Sequence, residues 1–151
     1  MLEAEYQLRK SFTDEVSREA ARFQDEWQAV LEREKQQRQP VLNAFTIDPP
    51  GSKALDDALS VEELSKGLCR VGVHIADVSY FVREGSGIDL EARKRGTSYF
   101  PGHSHRDTLM LPRELSHSLC SLLPNEERLA VSLYWDLDDS GHIHGDRKSV
   151  V

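Results

Sequence analysis

Cysteine is nearly absent from this chain, aromatics are sparse, and no apolar run approaches the length needed to cross a membrane. Each absence excludes something. The two cysteines, Cys69 and Cys120, lie in strand-like and helix-like apolar contexts without CxxC or partner-histidine spacing, so buried free thiols fit better than a disulfide or zinc site. The charged start MLEAEYQLRK does not read as an export signal, which predicts a soluble protein of the cytoplasm or nucleus, not secreted and with no membrane partner. Positive charge is also short. With 19 Lys and Arg against 26 Asp and Glu, the formal net charge of −7 argues against a non-specific basic grip on duplex nucleic acid, while leaving room for a locally basic groove.

What remains, 151 residues of which 38% are hydrophobic, suits one ordinary domain with a modest core. From Thr13 to about Gln37 the apolar residues Phe12, Val16, Ala20, Phe23, Trp27 and Leu31 recur at three- and four-residue spacing, which predicts an amphipathic helix. Ser11 or Thr13 can cap it, and Pro40 lies just beyond its end. Such a helix packs on its own domain or, alternatively, docks a protein partner as a coiled-coil stub. Beyond Pro40, β-rich runs alternate with turn signals, predicting strands over 44–47, 58–61, 69–75, 78–82 and 129–137. The Asp138-Asp139-Ser140-Gly141 turn predicts a hairpin partner over 142–151, and short helices fit 88–95 and 113–122. The expected class is α+β: a helical N-terminal segment over 1–40, then a mostly antiparallel sheet with short helices over 41–151. The last strand meets no closing turn before Val151, so it is expected to belong to a larger polypeptide.

The chemistry concentrates in FTIDPPGSKALDDALS. Asp48 follows an apolar strand-like run, Pro49-Pro50-Gly51 forces a turn, and Leu55 anchors the chain before Asp56-Asp57. Neighbouring side chains of a regular strand point to opposite faces, so Asp56 and Asp57 converge only where the backbone is irregular. Carboxylates in such a loop suit Mg²⁺, although Asp, Pro and Gly are also the ordinary components of a solvated turn. His74 and Asp77 read as structural support in an alternating run, and Tyr99, beside Phe100 and Pro101, reads on its own first as a core aromatic. His103-x-His105 and His142-x-His144 have strand spacing for two ligands on one face, yet no third ligand or acidic partner is evident. Arg93-Lys94-Arg95 is the only compact basic run and reads as a solvated helix face, with phosphate contact as the alternative.

The words around the acidic loop, GVHIADVSYFV, EGSGIDLEARKRGTSYFPG and MLPRELSHSLCSLLPNEERLAVSL, together resemble the catalytic (RNB) domain of the RNase II family, which includes the exosome-associated Dis3-type nucleases. The resemblance runs from Phe45 to Val151, about the first third of such a domain. It implies a processive 3′-to-5′ exoribonuclease that uses Mg²⁺, with Mn²⁺ as the alternative ion, to release nucleoside 5′-monophosphates from single-stranded RNA. By position it makes Asp48, Asp56 and Asp57 three of the four active-site and metal-binding aspartates, with Asp56 the one whose loss does most damage. It makes Tyr99 the residue that stacks on a base near the RNA 3′ end. The fourth aspartate is replaced by Ala54, and the family's catalytic arginine falls in sequence beyond Val151. The wording TIDPPGSKALDDAL and the long charged helix are nearest to a helicase-associated branch of the family.

Overall fold

The computed structural model describes residues 11–100 and 107–150, the last two as backbone. Helix α1 spans Asp14–Glu34 and starts at Thr13, whose hydroxyl accepts the Val16 N–H at 3.3 Å. The expected stripe is the one it buries. Val16, Ala20, Trp27, Val30 and Leu31 pack with Ala76, Phe81, Ile88, Leu115, Leu119 and Leu129 in a single core, with Phe12 and Phe23 at its margin. The Phe23 and Trp27 rings meet Phe81 at centroid distances of 5.6 and 6.0 Å. Burying a side chain of the Phe81 kind stabilises by about 1.5–3 kcal/mol. Among the described residues no helix is long and apolar enough to cross a membrane.

α1 ends at Glu34, earlier than the periodicity suggests, because the next turn folds Arg38 back into the protein. Its guanidinium binds Glu34 at 3.0 Å and Asp77 at 2.9 Å and donates to the Ala130 carbonyl at 3.4 Å, tying the helix end to the sheet.

The sheet is an antiparallel meander in the order β1 (Asp57–Ser65), β2 (Leu68–Ala76), β3 (Ala130–Asp138) and β4 (Ile143–Val150). Register sets Ala58 opposite His74 and His74 opposite Ser132 on the face toward the helices, and Asp57, Ile75 and Val131 in a row on the other. The covered face is the more polar one. His74 is 2% exposed, and its ring nitrogens meet Ser132 Oγ at 2.7 Å and Ser60 Oγ at 2.8 Å, which satisfies it without a metal. Burial pushes its pKa down and keeps the ring neutral. Gly72 leaves room for this pair, since a Cβ there would lie 2.5 Å from Ser60 Oγ and 2.8 Å from the imidazole. The open face carries apolar Val61, Ile75 and Val131, the last two 47% and 41% exposed.

Several expected elements differ. Val78–Phe81 is a short helix, α2, where a strand was expected over 78–82: Asp77 accepts the Tyr80 N–H and the Ser79 hydroxyl, and the turn sends Phe81 into the core, overriding β propensity. The expected strand over 44–47 shrinks to one bridge, Phe45 with Leu59, because Asn43 holds a positive φ of 59° before it and Pro49 follows soon after. α3 spans Gly87–Arg95 between a Ser86 cap and a left-handed Gly96, as the pattern suggests. The expected helix over 113–122 is instead wound as a π-helical turn at Leu115–Leu119, where the Cys120 N–H reaches back to the Leu115 carbonyl at 2.8 Å. Arg95 is not on a solvated face: it is buried against Glu91 at 3.0 Å, donates to the carbonyls of Leu109 and Ser11, and lies 3.8 Å over the Phe12 ring. Arg93 keeps the solvated position, paired with Asp89 on its own helix.

Candidate active site

The acidic loop is held at both ends. Phe45 exchanges two backbone hydrogen bonds with Leu59, at 2.9 and 2.8 Å, just before Asp48. Ser52 then closes the Pro49-Pro50-Gly51 turn by donating from its N–H and hydroxyl to the Pro49 carbonyl, at 3.1 and 2.8 Å. Buried Leu55 is the second anchor: its N–H donates to Ser121 Oγ at 2.9 Å and its carbonyl accepts from the Leu122 N–H at 2.8 Å. The Asp56 carbonyl takes the Ala76 N–H at 3.0 Å, and β1 begins only at Asp57. That bond continues the pairing of Asp57 with Ile75 by one residue, so Asp56 and Asp57 leave the strand end on opposite faces, and the backbone irregularity expected at this pair is not found there.

Asp48, Asp56 and Asp57 are exposed, and among the described residues no lysine or arginine pairs with any of them. The Asp56 carboxyl is pushed above its usual range, first by partial burial, then by the charges of Asp57 and Asp48, with His117 opposing. Asp48 and Asp57 thus both lie within electrostatic reach of Asp56. Cys120, a free thiol pushed up to about 12 chiefly by burial, also feels Asp56 and Asp77 and is unreactive. Cys69, expected to be buried, is only half-buried, because alternation along β2 puts it on the open face of the sheet with Ile75.

Hard carboxylate oxygens that repel one another are the donor set a divalent cation relieves. Among the described residues no group of three or more His, Cys, Asp or Glu is disposed around one point. Mg²⁺ does not require that, since it takes one or two protein carboxylates and completes its shell with water and phosphate oxygens. The residues fit such an ion.

Tyr99 lies just past α3 and is half-buried, pairing through its backbone with Thr108 at 2.7 and 2.9 Å. Lys53 of the acidic loop reaches Asp107, the neighbour of Thr108, at 3.3 Å, so the two segments are tied together. His103 and His105 fall outside the described residues. His142 and His144 do have an acidic partner, contrary to expectation: the hairpin turn brings Asp138 to within 3.5 and 2.8 Å of their rings. The residue that sequence reasoning passed over is His117, inside the π-helical turn. Its Nδ1 meets Ser116 Oγ at 3.2 Å, and its buried Nε2 has no partner among the described residues. One signal for it was legible, a histidine breaking the apolar pattern of LSHSLCSL.

The RNB domain family profile matches residues 35–150, and the chain belongs to that family. It is 42% identical over 141 residues to Ribonuclease R of Aquifex aeolicus, covering 91% of this chain and 19% of that protein. Among solved structures it superposes on Mycoplasma genitalium RNase R in complex with ribose-methylated single-stranded RNA with a TM-score of 0.81 and 32% identity, covering 99% of this chain and 23% of the other. Yeast Ssd1, described as a pseudonuclease, matches over 78% of this chain and 15% of the other, with a TM-score of 0.67 and 26% identity. The chain thus spans about a fifth of the length of the ribonucleases it matches.

Proposed function

We propose that this chain is the opening part of a 3′-to-5′ exoribonuclease unit that hydrolyses single-stranded RNA to nucleoside 5′-monophosphates. The observation that carries the reading is the meeting of Asp48, Asp56 and Asp57 in one electrostatic neighbourhood without a protein cation among the described residues, within an RNB-family chain. Asp48, Asp56 and Asp57 would hold Mg²⁺, which when bound lowers the pKa of a water and offsets charge on a phosphate. The backbone anchors at Leu55 and Asp56 fix where these carboxylates stand relative to the terminal phosphodiester. Water attacks phosphorus and the bond to the leaving 3′-oxygen breaks. Tyr99 would stack on a base, a contact that tolerates any sequence.

A second reading is favoured by Ala54 and by the likeness to a pseudonuclease: an RNB module kept for RNA binding or protein interaction. The wording TIDPPGSKALDDAL suits the module of a vertebrate helicase with zinc fingers that serves as a nuclear-receptor coactivator. The apolar stripe of α1 is buried in the chain's own core, so a partner on that helix would have to use its charged face.

The test is end-labelled single-stranded RNA given to the parent polypeptide, with and without Mg²⁺, beside Asp56→Asn. Metal-dependent mononucleotide release, reduced at least about 100-fold in the variant, is expected. Release that survives Asp56→Asn would sink the assignment, and RNA binding without release would select the second reading.

A further inference from the structure

The acidic loop carries one cation of its own. Lys53 is the only lysine or arginine between Asp48 and Asp57, three residues before Asp56 and next after the turn that Ser52 closes on Pro49. Three residues of chain span at most about 11 Å, and the ammonium rides on a flexible four-carbon stem. The nearest carboxylates along the chain are those of the candidate site, yet Lys53 does not go to them. Its Nζ meets Asp107 Oδ2 at 3.3 Å, and its charge is not among those that act on Asp56. The two partners are held unequally: the Lys53 side chain is 61% exposed and that of Asp107 14%. Asp107 stands on an anchored segment. Thr108 pairs with Tyr99, the Met110 N–H donates to Ser98 Oγ at 2.8 Å, and buried Leu109 accepts from Arg95 through its carbonyl at 3.0 Å. The acid is fixed, and the cation comes to it.

We propose that Asp107 is a positioning residue for the metal site that acts through Lys53: it holds the loop's own cation aside and so keeps Asp48, Asp56 and Asp57 open to a divalent ion. The inference rests on the acidic-site reading above. An ammonium and a divalent ion compete for the same carboxylate oxygens, and a positive charge released beside the site also repels the ion. An exposed pair of this kind contributes little to stability. Its effect falls on metal affinity, by a few-fold, and not on the fold.

The experiment titrates Mn²⁺, as a paramagnetic probe, into the full 151-residue chain and follows the free ion by electron paramagnetic resonance, with thermal melts recorded alongside. The variants are Asp107→Asn, Lys53→Met and the two combined. Asp107→Asn should weaken binding about fivefold. Lys53→Met should bind at least as tightly as the parent, and adding Asp107→Asn to it should cost clearly less. Both single variants break the same ion pair, so a mere tie between the two segments predicts equal losses. Lys53→Met binding as weakly as Asp107→Asn therefore overturns the proposal. It is overturned too if Asp107→Asn binds like the parent, or weakens binding by the same factor with and without Lys53→Met, the signature of distant charge alone. Asp56→Asn separates this from the underlying reading. Binding lost there but intact in Asp107→Asn removes the role of Asp107 and leaves the acidic site standing; binding intact in both removes the site as well.

Discussion

Glu34 and Asp56 are both carboxylates that folding takes partly out of water, and they respond in opposite directions. At Glu34 the cost of burial is outweighed by hydrogen bonds from Arg38, Arg33 and Tyr80, and the pKa falls. At Asp56 burial is reinforced by Asp57 and Asp48, and the pKa rises. The same group is neutralised by its own chain at one place and, among the described residues, left without a cation at the other. The difference separates a carboxylate that holds the fold together from one that is available to a ligand. The helix end is complete as it stands: Arg38 is shared between Glu34 and Asp77, and Arg33 donates to the Tyr80 hydroxyl. The acidic loop is structurally anchored and electrostatically unfinished.

The largest effect should come from breaking the finished side. Arg38→Ala leaves Glu34 and Asp77, both mostly buried, without their shared cation, and should destabilise the chain by about 3–5 kcal/mol in urea unfolding. A loss of under about 1 kcal/mol, the usual value of a surface pair, would erase the contrast.

Ala54→Asp sharpens the other side. A further carboxylate beside Leu55 should tighten Mn²⁺ binding by roughly tenfold if it enters the ion's shell. Unchanged affinity in the same titration would show that position 54 does not face the ion.

The smallest effect is one of sign. The raised Asp56 pKa means that the folded state takes up a proton at higher pH than the unfolded chain does. This stabilising uptake is complete below the unfolded pKa, near the ordinary value of 3.8, and is lost as pH rises through the raised folded value. At neutral pH without metal, Asp56→Asn should therefore melt slightly above the parent. The gain should shrink on acidification and be absent below the carboxylate range. Saturating Mg²⁺ should reverse the order, since only the parent keeps the ligand. A variant that melts below the parent at neutral pH without metal would show that Asp56 is not destabilised by its neighbours.

Much of this was legible in the sequence because it depends on local periodicity. The stripe from Val16 to Leu31, the strands that became β2 and β3, and the Asp138-to-Gly141 hairpin all follow from spacing and turn chemistry. The misreadings share a cause: a distant contact outweighed a local preference. Val78–Phe81 has strand composition, but an Asp77 cap and a core site for Phe81 made it a helix. Arg95 belongs to a basic run, yet Glu91, the Leu109 carbonyl and the Phe12 ring enclose it. At the site, the surrounding words single out Asp48, Asp56 and Asp57 as candidates. What holds them could not be read there, because Leu55 meets Ser121 across 66 positions of sequence.

The π-helical turn fixes something else as well, the permissible length of the chain. A regular helix advances about 100° per residue, so deleting one residue between Pro112 and Ser121 would restore ordinary winding at the cost of rotating one end against the other. Either Ser121 would leave Leu55 or His117 would leave the neighbourhood of Asp56. A substitution there can be absorbed by repacking, whereas a single deletion cannot, and this short segment is expected to tolerate changes of residue far better than changes of count.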